Sequence, residues 1–349
     1  MKRLNAFKIS IVLIVFAATI VLGSISNAQL NFGDPVNLGP NINSTASDGF
    51  PVISPDGCTM YFTSNRPGGY GKDDIYVATR ESKDDEWGPA VNLGPSVNDA
   101  DYDDVYSISS DGLSLYLYSD RSGGYGGSDL YVTTRATTSS PWGTPVNLGA
   151  TVNSASNDYQ PNISHDGLSM YFSSNRSGGY GGLDLWVTTR ATTSSPWSTP
   201  VNLGAIINSS SGEYAPSISS HGLSLFFAST RPGGFGVDDD IWMTTRNSES
   251  NPWSPPVNLG PKINTPGRDG SPNISADGHT LYFISAGHGG YGYNDIFKAP
   301  IYDVPTCGDL DHPYTVGDFN KDCRVDVYDF LVFIEHWLEC TAPECDETL

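Results

Sequence analysis

Short runs of alternating apolar and polar residues follow one another from residue 32 to residue 302, parted by clusters of Gly, Pro, Asn and Asp. Alternation with period two marks strands that bury one face. No segment in this region shows the 3.6-residue apolar period of a helix. In one representative stretch the strand candidates are residues 161–164, 168–174, 184–190 and 197–204. Asp166-Gly167 lies between the first two and predicts a hairpin of type I′, whose two central residues need positive φ. The next loop, Arg176-Ser-Gly-Gly-Tyr-Gly-Gly-Leu-Asp184, is so glycine-rich that it has to turn tightly and irregularly.

This four-strand pattern recurs. Trp87, Trp142, Trp197 and Trp253 are each followed four residues later by Val-Asn-Leu-Gly, and they stand 55, 55 and 56 residues apart. Asp-Gly at 56–57, 111–112, 166–167 and 277–278 keeps the same period, with His221-Gly222 as the one departure. Five copies result, and four-stranded units repeated in this way predict a radial array. Phe32-Gly-Asp-Pro-Val-Asn-Leu-Gly39 matches the fourth-strand segment but precedes the first copy, whereas the fifth copy ends near Lys298 with no fourth strand of its own. The N-terminal segment is therefore expected to supply the outer strand of the last unit and so close the ring.

Stretches such as Ile53-Ser-Pro-Asp-Gly-Cys-Thr-Met-Tyr-Phe-Thr-Ser-Asn-Arg-Pro-Gly-Gly-Tyr-Gly-Lys-Asp-Asp-Ile-Tyr76 resemble the WD40-like β-propeller repeats called PD40, which are similar to those of TolB. The resemblance covers residues 32 to 302. It implies a five-bladed propeller and a periplasmic or secreted interaction or scaffold protein, with no particular reaction. The fifth copy departs from it, with Ala286-Gly287 in place of Asn-Arg. The fold expected is all-β, a five-bladed propeller closed by its N-terminal strand, plus a small C-terminal loop-helix module. The boundaries are a signal peptide at 1–28, the propeller at 29–302, a linker at 303–306 and the module at 307–349.

Lys2, Arg3 and Lys8 precede an apolar run from Ile9 to Leu22 and a small-residue site at Ser26-Asn27-Ala28. This is the layout of a signal peptide cut after Ala28, so the expected location is secreted, periplasmic or on the cell surface, with no integral membrane segment in the mature chain. The net charge is −21. Of the cations outside the leader, eight occupy two repeated slots, Arg66/121/176/231 and Arg80/135/190/246, read as partners within each blade. Little basic surface is left for counterion displacement, which excludes nucleic acid and anionic membrane as partners. Cys58 stands alone in the repeats and is read as a packing residue with a free thiol. Cys307, Cys323, Cys340 and Cys345 suggest two disulfides, with three connectivities open.

In the C-terminal module, Asp318, Asn320, Asp322, Asp326 and Asp329 fall at positions 1, 3, 5, 9 and 12 of a twelve-residue loop, with the carbonyl of Arg324 at position 7. Several oxygens converging from a short loop are what a calcium ion requires. Phe330, Phe333, Ile334, Trp337 and Leu338 then mark one face of an exiting helix. Loop and helix are half an EF-hand and resemble a type I dockerin repeat, which implies calcium as cofactor and a cohesin-like partner. The chain departs from that pattern in having one loop instead of two, Cys323 at position 6, and Val327-Tyr328 at the cohesin-contact positions.

Repeated residues read first as requirements of the fold. Asp74, Asp129, Asp184, Asp240 and Asp295 are read as turn caps or Arg partners, and Asn43, Asn98, Asn153, Asn208 and Asn264 likewise as structural. Tyr70, Tyr125, Tyr180, Phe235 and Tyr291 form an aromatic slot expected to pack against neighbouring blades. One set is a candidate ligand site. Asp48, Asp103, Asp158, Glu213 and Asp269 each precede an innermost strand, so ring closure is expected to gather them at one mouth of the central channel, where they would attract a cation or a polyhydroxyl. The competing reading makes them local turn residues or hydrogen-bond partners of the next blade. Three functions are compatible with the pattern. The first is a non-enzymatic module that binds or scaffolds an extracellular or envelope protein or a glycan, with a calcium-stabilised C-terminal attachment module. The second is a five-bladed glycoside hydrolase or lyase acting on polysaccharide. The third is a structural cell-envelope component. Near-identical blades argue against the hydrolase, because catalysis needs unlike residues on unlike blades.

Overall fold

The computed structural model describes residues 30–302, and every regular element among them is a strand. Blade 1 consists of Asp48–Ile53, Thr59–Ser64, Asp74–Thr79 and Val91–Asn92. Blade 2 consists of Asp103–Ile108, Ser114–Ser119, Asp129–Thr134 and Val146–Asn147, and blade 3 of Asp158–Ile163, Ser169–Ser174, Asp184–Thr189 and Val201–Asn202. Blade 4 contains Glu213–Ile218, Ser224–Ser229, Asp240–Thr245 and Val257–Asn258, and blade 5 contains Asp269–Ile274, Thr280–Ser285 and Asp295–Tyr302. Each innermost strand packs against those of the two adjacent blades, and blade 5 returns to blade 1. These five sheets make a closed five-bladed propeller.

Closure is the one expected from the sequence. Val36–Asn37 pairs antiparallel with the third strand of blade 5, Val36 opposite Lys298 and Asn37 opposite Phe297. A further short strand, Asn31–Phe32, joins the same sheet. The seam repeats the side-chain wiring found elsewhere in the ring. Asn37 donates to Asp295 at 2.9 Å as Asn92 donates to Asp74 at 2.8 Å, and Asn43 brackets the backbone of Ile296 as Asn98 brackets that of Ile75.

Two local expectations are corrected. In the Asp-Gly hairpins only the glycine has positive φ, 74° at Gly57 and 71° at Gly167. The amide of Gly57 donates to Ser54 O at 2.8 Å, so the turn is a type I turn followed by a left-handed glycine. That geometry asks nothing special of the preceding residue, which is why His221 is tolerated. The innermost strands begin three residues earlier than expected, and the outer strands shrink to two residues. Each innermost strand carries a register shift, between Tyr159 and Asn162 in blade 3. In blades 1, 3, 4 and 5 the shift coincides with positive φ at Phe50, Gln160, Ala215 and Ser271, each directly before a proline. Bulges of this kind break the simple alternation from which strand limits are read.

The core lies between blades. Phe62, Phe172, Phe227 and Phe283 occupy one slot of the second strand and are fully buried. Arg80, Arg135, Arg190 and Arg246 lie over Trp87, Trp142, Trp197 and Trp253 at 4.2, 4.3, 4.2 and 4.3 Å, joining the repeated cation to the repeated indole within each blade. Cys58 is half-buried and has a free thiol.

Candidate functional site

The five carboxylates expected at the channel mouth lie inside the blades. Asp48, Asp103, Asp158, Glu213 and Asp269 are all 0 % exposed. Arg66 reaches Asp48 at 2.6 Å, Arg176 reaches Asp158 at 2.5 Å, Arg231 reaches Glu213 at 3.0 Å, and Arg121 pairs with Asp103 in the same way. Each of these guanidiniums also donates to a backbone carbonyl, Ile42 O in blade 1, and lies over an aromatic ring such as Tyr76 at 4.9 Å. Blade 5 lacks the arginine. There His288 Nε2 takes the equivalent carbonyl, Ile263 O, at 3.0 Å. Asp269 keeps only the Thr265 donors, one of its oxygens has no partner among the described residues, and burial pushes its pKa up. A carboxylate needs a donor when it is buried, and the blade supplies one locally. These side chains are thus enclosed by the fold rather than gathered around an opening.

The Asp of the glycine-rich loop resolves as a turn cap. Asp74 accepts from the amides of Tyr70 and Gly71 at 2.6 and 3.1 Å, and the same pair of bonds recurs at Asp129, Asp184 and Asp295. A Cβ on Gly71 would stand 2.4 Å from Asp101 O and one on Gly126 only 1.8 Å from Ser156 O, so each loop presses against the start of the next blade. The result is a tight, Asp-capped loop whose aromatic residue stays about half exposed. Tyr70, Tyr125, Tyr180, Phe235 and Tyr291 are 52, 53, 54, 43 and 52 % exposed, and Tyr293 beside the last is 75 % exposed. The slot expected to pack against neighbouring blades is therefore about half exposed and is not part of the buried core. Glycines on both sides of each aromatic supply no side chain to cover it, and the loop Asp holds the backbone through the aromatic residue's own amide. All five loops join the second and third strands of their blades, so they emerge from the same end of each blade.

Along the axis the blades are not equivalent. Blade 2 reads Asp103-Asp-Val-Tyr-Ser-Ile108 where the other four have proline at the fourth position. Tyr106, in that position, is buried and lies 4.8 Å from the Phe50 ring and 5.7 Å from the Tyr118 ring. Its hydroxyl accepts from Gln160 Nε2 at 3.1 Å, while Gln160 Oε1 accepts from Ser173 Oγ and the Ala215 amide, each at 2.8 Å. Tyr106 thus contacts blades 1, 2 and 3, and Gln160 extends the network to blade 4. Toward the opposite face a cavity of about 70 Å³ remains. Side chains there link consecutive blades, with Ser107 accepting from the Ile163 amide, Asn162 from Ile218, Ser217 from Ile274 and Asn273 from Ile53.

Beside Tyr106 stands Asp104, an acid that the other blades do not share at this position. It is 1 % exposed and neither carboxylate oxygen has a hydrogen-bond partner among the described residues. Burial, and next the charge of Asp73, push its pKa up to about 8. The signal for it was a departure from the repeat, since the equivalent positions hold Gly49, Tyr159, Tyr214 and Gly270. The calcium-loop residues Asp318, Asn320, Asp322, Arg324, Asp326 and Asp329 lie outside the described residues, as do the signal peptide, the linker and the four C-terminal cysteines. Among the described residues no helix is long and apolar enough to cross a membrane.

With five blades, a closing N-terminal strand and one aromatic-bearing face, the described part of the chain is a five-bladed β-propeller. No protein-family model matches it, and no curated protein does. Among solved structures it is similar to a TolB-type protein from Agrobacterium tumefaciens, 18 % identical, over 73 % of this chain and 78 % of that one, with a TM-score of 0.45. It is also similar to an α-L-arabinofuranosidase from Lactobacillus brevis, 13 % identical, over 75 % and 92 % of the two chains, with a TM-score of 0.49. A third is the catalytic domain of a Coprinopsis cinerea GH62 α-L-arabinofuranosidase, 11 % identical, over 78 % and 98 %, with a TM-score of 0.49. Likeness at this level concerns the fold and transfers no activity.

Proposed function

We propose that this chain works outside the cytoplasm as a non-enzymatic binding and scaffold module whose propeller engages a neutral glycan through the five aromatic loops. The observation that carries this reading is the exposure of Tyr70, Tyr125, Tyr180, Phe235 and Tyr291 on tight, Asp-capped loops. An aromatic ring held in solvent by the backbone offers a flat apolar face at little entropic cost, and the face of a pyranose ring is its natural complement. In blades 2 and 3 no charged side chain stands between Arg121 and Asp129 or between Arg176 and Asp184. The net charge of the whole chain, −21, further disfavours polyanions. Five equivalent contacts on one ring suit a repeating polymer, because linked weak contacts add through effective concentration. In this reading the C-terminal module, with calcium in the loop 318–329, serves as the attachment element.

A hydrolase would instead need two carboxylates that can touch substrate. Asp104, an acid on the innermost strand of blade 2 with no partner among the described residues, is enclosed. Electrophoresis of the full chain through gels containing xylan, mixed-linkage β-glucan or polygalacturonate tests the reading, with release of reducing ends followed in parallel. Retardation by a neutral polymer, weakened about tenfold in Tyr125→Ala/Tyr180→Ala, is expected. Equal retardation of this variant would remove the aromatic face as the site, and steady release of reducing ends would favour the hydrolase.

A further inference from the structure

We propose that a cavity at the seam between blades 5 and 1 binds one small sugar acid, whose carboxylate is held by Lys298, Arg80 and the hydroxyl of Tyr282.

This seam departs from the repeat at two places far apart in the sequence. On the third strands, Val77, Val132, Val187 and Met243 stand opposite Tyr61, Tyr116, Tyr171 and Phe226 of the second strands. In blade 5 the same slot holds Lys298, opposite Tyr282. Residues directly opposite on antiparallel strands project from one face of the sheet, so the lysine and the tyrosine share the face turned to Arg80 of blade 1. The second departure is Lys83, which stands where blades 2, 3 and 4 have Thr138, Thr193 and Glu249. Both lysines line one cavity of about 300 Å³, together with Arg80, Tyr282 and the carboxylates of Asp84 and Asp277. It lies at the end of the blades opposite the aromatic loops, beside the turns that join first to second strands.

Donors are in excess in this cavity. Lys83 Nζ is paired with Asp277 at 2.6 Å. Arg80 donates from Nε to Gly57 O at 2.9 Å and is stacked on Trp87, while its Nη2 reaches Tyr282 Oη only at 3.5 Å. Tyr282 is 3 % exposed, and its hydroxyl proton has no acceptor among the described residues. The half-buried Lys298 has neither an ion-pair partner nor a hydrogen-bond acceptor among them. Three bases thus face two acids, and of these Asp277 is already paired while Asp84 stands on an exposed loop.

A half-buried ammonium beside a buried hydroxyl calls for an acceptor, and one carboxylate serves both with charge-assisted hydrogen bonds. The surplus of one positive charge matches a monocarboxylate rather than a phosphate dianion. Ser54, Ser275 and Thr280 also line the cavity, which suits a body that carries hydroxyls. A volume of about 300 Å³ stands at the lower end of small-molecule pockets and limits the ligand to a single sugar unit. The site is separate from the aromatic face and does not depend on it.

The test is calorimetric titration of the full chain with D-glucuronate and D-gluconate, and with D-glucose as the neutral counterpart. The acids are expected to bind about tenfold or more tightly than glucose. Lys298→Met gives blade 5 the residue that blade 4 carries in this slot, so the melting temperature should hold while glucuronate binding weakens about tenfold. Tyr282→Phe likewise copies blade 4 and should weaken binding several-fold. Acids that bind no tighter than glucose, or a folded Lys298→Met protein that binds glucuronate as its parent does, overturn the proposal. If the Lys298 variant does not fold, unchanged binding by Tyr282→Phe overturns it instead.

Discussion

Asp104 is an acid enclosed with Tyr106, Tyr118, Asp73 and Asp103. Its pKa moves from 3.8 to about 8 on folding, so the folded chain holds this proton more tightly than the unfolded chain does. Stability from that difference is full below pH 3.8 and is lost as pH climbs through about 8. In metal-free buffer Asp104→Asn should therefore raise the melting temperature more at pH above 8 than at pH near 4, a difference readable by calorimetry at the two pH values. A gain independent of pH would mean the carboxyl is ionised in both states. The arginine pairs make the opposite kind of residue. Asp158→Asn leaves the largely buried guanidinium of Arg176 without a charge partner and should cost about 3–5 kcal/mol, measured by denaturant unfolding. Asp103→Asn should cost less, because Arg121 keeps Asp99 at 3.5 Å. Little of this contrast was legible in the sequence. Repetition marked Asp103 and its equivalents as important but could not say that their partner was Arg121 rather than solvent, and it hid Asp104 because attention to what recurs discounts what does not.

The elements show which sequence signals survive folding. Glycine-rich loops were read correctly as tight turns, and the loop Asp correctly as a cap, because both follow from local backbone demands. The hairpins were misassigned in type because Asp-Gly suits more than one turn. The aromatic slot was misplaced for a related reason. Recurrence of a large apolar residue usually means burial, yet here the flanking glycines supply no covering side chain and each ring stays about half exposed. Those glycines are not interchangeable. Gly126→Ala places a Cβ 1.8 Å from Ser156 O, whereas Gly182→Ala in the next blade meets nothing within 4 Å. The first should lose about 1–3 kcal/mol and the second almost nothing in parallel urea titrations. Equal losses would mean that these loops do not press on the following blade as described.

At the scale of the molecule the sequence carried the most, since blade number, blade content and the closing strand all follow from one fixed period and its mismatched ends. Deleting residues 29–40 should strip Val36–Asn37 from blade 5, expose a sheet edge and lower the melting temperature of the whole ring with aggregation, as seen by light scattering during a thermal ramp. What the period could not convey is how the ring is used, because five nearly identical units describe a scaffold and leave its working face to the exposure of particular side chains. That face is tested most directly by replacing the aromatics of the full chain cumulatively, Tyr125→Ala, then adding Tyr180→Ala, Tyr70→Ala, Tyr291→Ala and Phe235→Ala, and measuring affinity for the neutral polysaccharide at each step. Affinity should fall stepwise with each replacement while the melting temperature stays constant, as expected for separate exposed contacts. Unchanged affinity in the fivefold variant, with its fold intact, would contradict the account.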